Sequence, residues 1–366
     1  MTPAAGEPEV VAATSRPVAL RRSVPLVGRR VVRLVVVLAA LGVASDVLVN
    51  RSNELAGVGG YLSHIDVGLL AAAAAAEACS MGCYAALQRR LLAEGGSPLR
   101  LPPLFAISLA ANAVTNSLPA GPVFGFVYSY RQIHRRHVPE VVAAWALVAT
   151  NVMGSAALAM LAAFGVASAM GQSTAFDLVG VTAGTLVVAA LAMIALRRPV
   201  WLLPVFRGLA RLANRLVRRP AEPDRAVMDL HDRLAAVEPS WRGLAAAFGL
   251  SLGNWVCDLC CLLAAFGAVD ARIPWRGLLL AYGAAQLAAN LPITPGGLGV
   301  VEGSLTIGLV AYGGAEASSV AAVLVYRVIS FWALLVVGWA CIGGLAAVGR
   351  RRRRAGSAPD LQEVTA

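Results

Sequence analysis

Three ionisable residues stand in stretches that are otherwise apolar, Asp258, Glu302 and Arg327, and Arg131 falls just beyond a run interrupted by Pro119. At the centre of a bilayer each such charge costs roughly 2.5–3.5 kcal/mol on translocon scales, so residues of this kind face a polar cavity or pair with one another. Glu302 lies one turn past Gly299, and Arg327 sits mid-run in Leu324-Val325-Tyr326-Arg327. Two readings are open. A Glu302–Arg327 or Asp258–Arg327 ion pair would tie helices together. In a substrate site, the arginines would attract an anionic group and the acids a cationic or hydroxylated one. The two can coexist. Glu77 and Asp46 are weaker candidates, the first facing a cavity and the second near the outer interface.

A second set of polar residues recurs. Asn112 and Asn116 return as Gln286 and Asn290, 174 positions later. Pro119 follows Asn116 as Pro292 follows Asn290, and Gly125 and Gly299 each lie nine residues past their asparagine. Upstream, Leu101-Pro102 resembles Ile273-Pro274. Pro119, Pro292 and Pro295 remove helix hydrogen bonds, while Gly121, Gly296, Gly297 and Gly299 permit tight turns. Backbone groups freed in this way cannot face lipid, so both broken segments are expected to line a polar cavity. A half-helix starting near Gly297 would aim its N–H donors at a phosphate or carboxylate.

The elements that hold these residues follow from hydropathy. Of 366 residues 58% are hydrophobic and 14% charged, where a soluble domain carries about 25% charge. Mean hydropathy is +0.70. Runs of about 20 apolar residues, enough to cross a ~30 Å core, recur at 31–49, 66–88, 140–168, 176–196, 241–268 and 317–348. The broken segments occupy 101–131 and 275–313. The pattern predicts an all-α polytopic membrane protein with about six full spans and two re-entrant or paired half-helix hairpins. Repeat units cover about 101–168 and 273–348. Three full spans separate the hairpins, an odd number, so the two units would enter from opposite faces as an inverted repeat.

The net charge of +11 comes from arginine alone, gathered between the apolar runs at Arg29-Arg30, Arg89-Arg90, Arg135-Arg136, Arg197-Arg198 and Arg350 to Arg354. That is the mark of cytoplasmic loops and places both termini inside; it does not point to nucleic acid. Residues 1–28 read as a disordered tail and 29–349 as a single membrane domain. The 197–240 stretch contains an amphipathic surface helix carrying Leu209, Leu212 and Leu216, and 350–366 is a basic disordered tail. The six cysteines fall within apolar runs, so Cys257-x-x-Cys260 reads as small hydrophobes rather than a metal or redox site. The four histidines are scattered. No catalytic motif or nucleotide-binding loop is present, and neither enzymatic activity nor a cofactor or metal is expected.

Asn290-Leu-Pro-Ile-Thr-Pro-Gly-Gly-Leu-Gly-Val-Val-Glu302 followed by Tyr326-Arg327 closely resembles the signature of the lysylphosphatidylglycerol synthase transmembrane-region family, or flippase-like domain proteins. Asn116-Ser-Leu-Pro119-Ala-Gly121 through Tyr130-Arg131, and Asn254-Trp255 with Asp258, resemble its other motifs, and the likeness covers about residues 30–348. It implies a lipid-translocating module, which in bifunctional members moves an aminoacylated phospholipid outward. A chain ending at Ala366 is expected to lack the aminoacyltransferase domain. Many relatives carry a Glu after the first Pro-x-x-Gly turn, where Pro122-Val-Phe124-Gly125-Phe126 is apolar here. The expected function is inner-membrane translocation of a phospholipid or glycolipid, anionic or aminoacylated, with a lipid-synthesising enzyme or a second copy as partner. The alternatives are a secondary transporter of a small polar solute and a non-transporting partner of an envelope-lipid enzyme.

Overall fold

The computed structural model describes residues 61, 65–118, 120–169, 175–197, 238–289 and 294–355. The span expected at 31–49, Asp46, Pro119, Asn290, Pro292 and the tails at 1–28 and 356–366 lie outside the described residues, as does nearly all of the 197–240 stretch. Contacts divide the chain into Met1–Asn50 and Arg51–Ala366, and every described residue belongs to the second unit.

Helix α1 runs over Val67–Glu94, α2 over Leu101–Ser117, α3 over Gly121–His134, α4 over Glu140–Ala169 and α5 over Ala175–Arg197. Then come α6 (Trp241–Ala268), α7 (Trp275–Ala289), a single tight turn at Pro295–Gly297, α8 (Val300–Ala311) and α9 (Glu316–Arg327). A π-helical turn at Val328–Ala333 carries α9 into α10 (Leu334–Ala355). Among the described residues, five stretches are long and apolar enough to cross a membrane: Val67–Glu94, Glu140–Ala169, Val179–Arg197, Trp241–Ala268 and Glu316–Gly349. The protein is an all-α polytopic membrane protein, and these five match the expected spans within a few residues. The hairpin halves are shorter. At 1.5 Å per residue α2 and α3 reach about 25 Å and 21 Å, less than the hydrocarbon core.

Helices α1 and α6 pack side by side in opposite directions. The Asp66 N–H donates to the Ala268 carbonyl (2.9 Å) at one end, and the Ser240 N–H donates to Glu94 Oε2 (2.8 Å) at the other. They cross where Asn254 Nδ2 donates to Ser80 Oγ (2.7 Å) and to the Ser80 carbonyl (3.0 Å). Residues 80 and 254 are 174 apart, the offset that relates Asn112 to Gln286, and so are Cys83 and Cys257, which also meet here. Contact between equivalent positions on antiparallel helices is what a two-fold relation produces. The offset that relates the two hairpins thus also relates the contacting positions of α1 and α6.

The remaining packing is reciprocal. Helix α4, which follows the first hairpin, packs on α7 of the second; α10, which follows the second, packs on α2 of the first. Both seams close on a glycine. A Cβ on Gly165 would lie 2.6 Å from the Leu280 backbone nitrogen, and one on Gly338 would lie 2.6 Å from the Ala113 Cβ. Small residues of this kind let helix backbones approach closely without a hydrophobic driving force from water.

The two hairpin tips differ. In the second, Gly296, Gly297 and Gly299 all take positive φ (61°, 67° and 79°), as the turn reading required. In the first the left-handed residue is Ala120 (φ 54°). Gly121 is there for a different reason from the expected turn: a side chain would overlap the Thr115 carbonyl of α2. Gly125, one turn on, sits against the Ala111 carbonyl in the same way. Of the six cysteines Cys261 is buried, while Cys79 and Cys260 are on the exposed surface of spanning helices.

Candidate functional site

A cavity of about 1150 Å³ opens between the two hairpins. It exceeds the ~300–1,000 Å³ of ordinary small-molecule pockets. Asn112, Asn116 and Gly121 line it from the first hairpin, Gln286, Thr294 and Gly296 from the second. Glu77, Ser80, Asn254 and Asp258 come from the α1–α6 pair, and Tyr326, Arg327, Ser330 and Phe331 from the final span. The lining also takes Leu147, Val148 and Val152 from α4, with Asn151 and Ser155 among them, and Val188 and Leu191 from α5. The tips approach one another: a Cβ on Gly296 would lie 3.2 Å from the Asn116 carbonyl.

Two polar clusters sit on this cavity. In the first, Asp258 Oδ2 accepts from the Tyr282 hydroxyl (2.5 Å), the Tyr326 hydroxyl (2.8 Å) and Gln286 Nε2 (3.2 Å). Gln286 Nε2 also donates to the Tyr326 hydroxyl (3.0 Å). The Asp258–Arg327 pair considered from sequence does not form. Helix geometry supplies the arrangement: Tyr282 and Gln286 are four apart and share a face of α7, turned toward Asp258 on α6.

In the second cluster, Arg327 Nε donates to Glu302 Oε1 at 2.6 Å. Glu302 Oε2 accepts from the Gly299 N–H at 2.7 Å, and Arg327 Nη2 donates to the Gly296 carbonyl at 3.3 Å. The guanidinium also lies 4.4 Å from the Phe331 ring centre, within cation–π range. Thus both Glu302 oxygens are engaged. The anion at the N-terminus of the second half-helix is the protein's own carboxylate, which occupies the donor expected to receive a phosphate. Just past Arg327 the helix widens into the π turn that carries Ser330 and Phe331 to the cavity; single π turns of this sort are frequent at functional sites.

The amides of the first hairpin pair with each other, Asn116 Nδ2 donating to Asn112 Oδ1 at 2.9 Å. Nearby, Trp339 Nε1 of α10 donates to Ser117 Oγ at 3.1 Å and ties down the end of α2. The structure therefore gathers Asn112, Asn116, Gly121, Asp258, Gln286, Gly296 and Arg327 on one cavity. Gly297, Gly299 and Glu302 lie just behind its lining, and the turn at Pro295 belongs to the same tip. Arg131 stands apart, exposed on the last turn of α3 and outside the lining.

Three participants escaped the sequence reading or were underrated by it. Tyr282 was not singled out and Tyr326 entered only beside Arg327 in its motif, although the i,i+4 spacing of Tyr282 to Gln286 was a usable signal. Glu77, ranked low, is buried on the cavity wall and shares that lining with Asp258.

The family model for the lysylphosphatidylglycerol synthase TM region matches residues 18–338. A UPF0104 membrane protein of Methanothermobacter thermautotrophicus is 40% identical over 98 residues, 26% of this chain and 28% of that protein. The matching region thus spans less than a third of that relative's length.

Proposed function

This chain belongs to the lysylphosphatidylglycerol synthase transmembrane-region family, and on that premise we propose that it translocates a phospholipid or glycolipid headgroup through the cavity between its inverted hairpins. The observation that carries the reading is the cavity's mixed lining, in which polar side chains from both hairpins share one large space with apolar side chains from α4 and α5. An amphiphile needs both at once: hydrogen-bonding partners for its headgroup and apolar surface for its chains. A carrier of a small polar solute has no use for the second.

In this reading Asp258 and Gln286 receive a cationic or hydroxylated headgroup, and the paired amides of Asn112 and Asn116 open to hydrogen-bond it. Arg327 keeps guanidinium donors beyond those taken by Glu302 and Gly296 and meets the lipid phosphate; Arg131 attracts that phosphate from outside the cavity. Glu302, Gly297 and Gly299 shape the tip that holds Arg327 in place. The protein works in a bacterial inner membrane with both termini cytoplasmic, a placement supported by the arginine-rich segments flanking the spans. A lipid-synthesising enzyme or a second copy is its expected partner.

The test is reconstitution. Purified protein in proteoliposomes should move acyl-labelled fluorescent phospholipid between leaflets faster than protein-free vesicles do. Gln286→Leu and Asp258→Asn should slow it. Translocation no faster than in protein-free vesicles, across anionic and zwitterionic lipids, would overturn the proposal.

A further inference from the structure

Glu77 is the most deeply buried acid among the described residues, 3% exposed. Its Oε2 has no hydrogen-bond partner among them although it stands on the cavity wall. Where α1 and α6 cross, beside the Ser80–Asn254 and Cys79–Cys257 contacts, it shares the cavity lining with Asp258, itself 9% exposed. Among the described residues neither acid has a salt-bridge partner, and α1 itself adds the Tyr84 hydroxyl to the lining. Helix α7 presents Tyr282 and α9 presents Tyr326, both neutral donors to Asp258; α6 adds the Cys261 thiol. Arg327, the cation on the cavity lining, gives its Nε to Glu302. Helix α2 contains no titratable residue, and the one on α4 is Glu140 at its far end.

Two carboxylates on one low-dielectric wall repel strongly, and neither can be ionised cheaply without a partner. Such a pair is stable with one proton held between the two groups, and it titrates as a unit rather than as two residues. Three donors converge on Asp258 Oδ2. Glu77 Oε2, buried and without a donor among the described residues, is the atom left to hold that proton.

We propose that Glu77 and Asp258 form a one-proton site on the cavity wall that couples lipid movement to the proton gradient. The proton and the lipid headgroup compete for the same carboxyl oxygens. As a headgroup donor arrives, the proton passes to water in the cavity; when the headgroup departs at the opposite face, a proton from that side takes its place. One headgroup moves against one proton. The coupling rests on the translocase reading, whereas the shared proton rests on geometry alone, and the two are measured separately.

For the coupling, vesicles of phosphatidylglycerol and phosphatidylethanolamine carrying acyl-labelled phosphatidylethanolamine are given a stable pH difference, and the leaflet distribution is read by quenching. With one proton exchanged per lipid, each pH unit shifts the steady leaflet ratio by up to about tenfold. Glu77→Gln should leave the ratio indifferent to pH, and Glu77→Asp should restore part of the response. Wild-type protein that translocates while its leaflet ratio ignores the gradient overturns the coupling. For the proton, infrared spectra of the same reconstituted protein should show a protonated carboxyl band at neutral pH that disappears in Glu77→Gln. Absence of that band in wild type overturns the site. If wild type moves no lipid at all, the translocase reading fails, and the band alone decides for or against the proton site.

Discussion

Removing the Glu302 carboxylate while Arg327 stays in place strands a cation whose side chain is 10% exposed; that of Glu302 is 24% exposed. Breaking a buried pair by deleting one partner costs about 3–5 kcal/mol, because the remaining charge is left uncompensated. A quarter-exposed glutamate puts this pair at the low end, about 3 kcal/mol. Glu302→Ala also abandons the Gly299 N–H at the start of α8, a loss of about 1 kcal/mol. The expected total is about 4 kcal/mol, against about 3 kcal/mol for Glu302→Gln, which keeps an acceptor for Gly299. Replacing both partners, as Glu302→Gln with Arg327→Met, removes the stranded charge and should return to within about 1 kcal/mol of wild type. Unfolding in lipid–detergent micelles titrated with dodecyl sulfate reads these differences directly. Single variants within about 0.5 kcal/mol of wild type would refute the reasoning. So would a double variant that loses the sum of the two single losses. Either result would release Glu302 from its structural task and return it to the cavity as a substrate ligand.

Gly165→Leu and Gly338→Leu should each destabilise by about 1–3 kcal/mol through overpacking of the α4–α7 and α2–α10 seams, while Gly154→Leu, where a Cβ meets nothing, should shift the thermal midpoint little. Gly296→Ala forces a residue with φ of 61° into a left-handed conformation costing about 1–2 kcal/mol and pushes on Phe331; the expected result is a lower thermal midpoint together with slower lipid translocation. Tyr326→Phe removes one of the donors to Asp258 and should cost about 1–3 kcal/mol in the same titration, with an unchanged midpoint counting against the cluster. A fluorescent-protein reporter fused after Ala366 should mature on the cytoplasmic side and an alkaline-phosphatase insertion at Gly313 should be active outside, since the arginine distribution sets that topology; the reverse activities would invert it.

Much of the architecture was legible in the chain. An apolar run long enough to cross a bilayer has few alternatives, so α1, α4, α5, α6 and the last span lie within a few residues of their expected limits. Proline and glycine act locally on the backbone, and so the breaks near 119 and 292–299 were visible as well. A buried charge must find a partner, which placed Glu302–Arg327 among a very short set of pairings.

What local pattern could not carry was convergence between distant helices. Asp258 takes its donors from residues 24, 28 and 68 positions away, and a hydropathy profile does not say which faces of α6, α7 and α9 turn toward each other. Gly121 shows the same limit: its composition suggested a turn, whereas the demand comes from the Thr115 carbonyl of the neighbouring half-helix. Arg131 matched its motif, yet the direction of α3 leaves it outside the cavity. The sequence by itself determined that this is a polytopic helical membrane protein with two broken segments built as copies. Only the tertiary structure decided that the copies meet at Ser80–Asn254, that Glu302 is spent on its own half-helix, and that Glu77 rests beside Asp258. Hydrophobicity and backbone breaks are properties of neighbours along the chain, while a site is made by helix crossings that bring together distant residues, 68 positions apart for Asp258 and Tyr326 and 174 for Ser80 and Asn254.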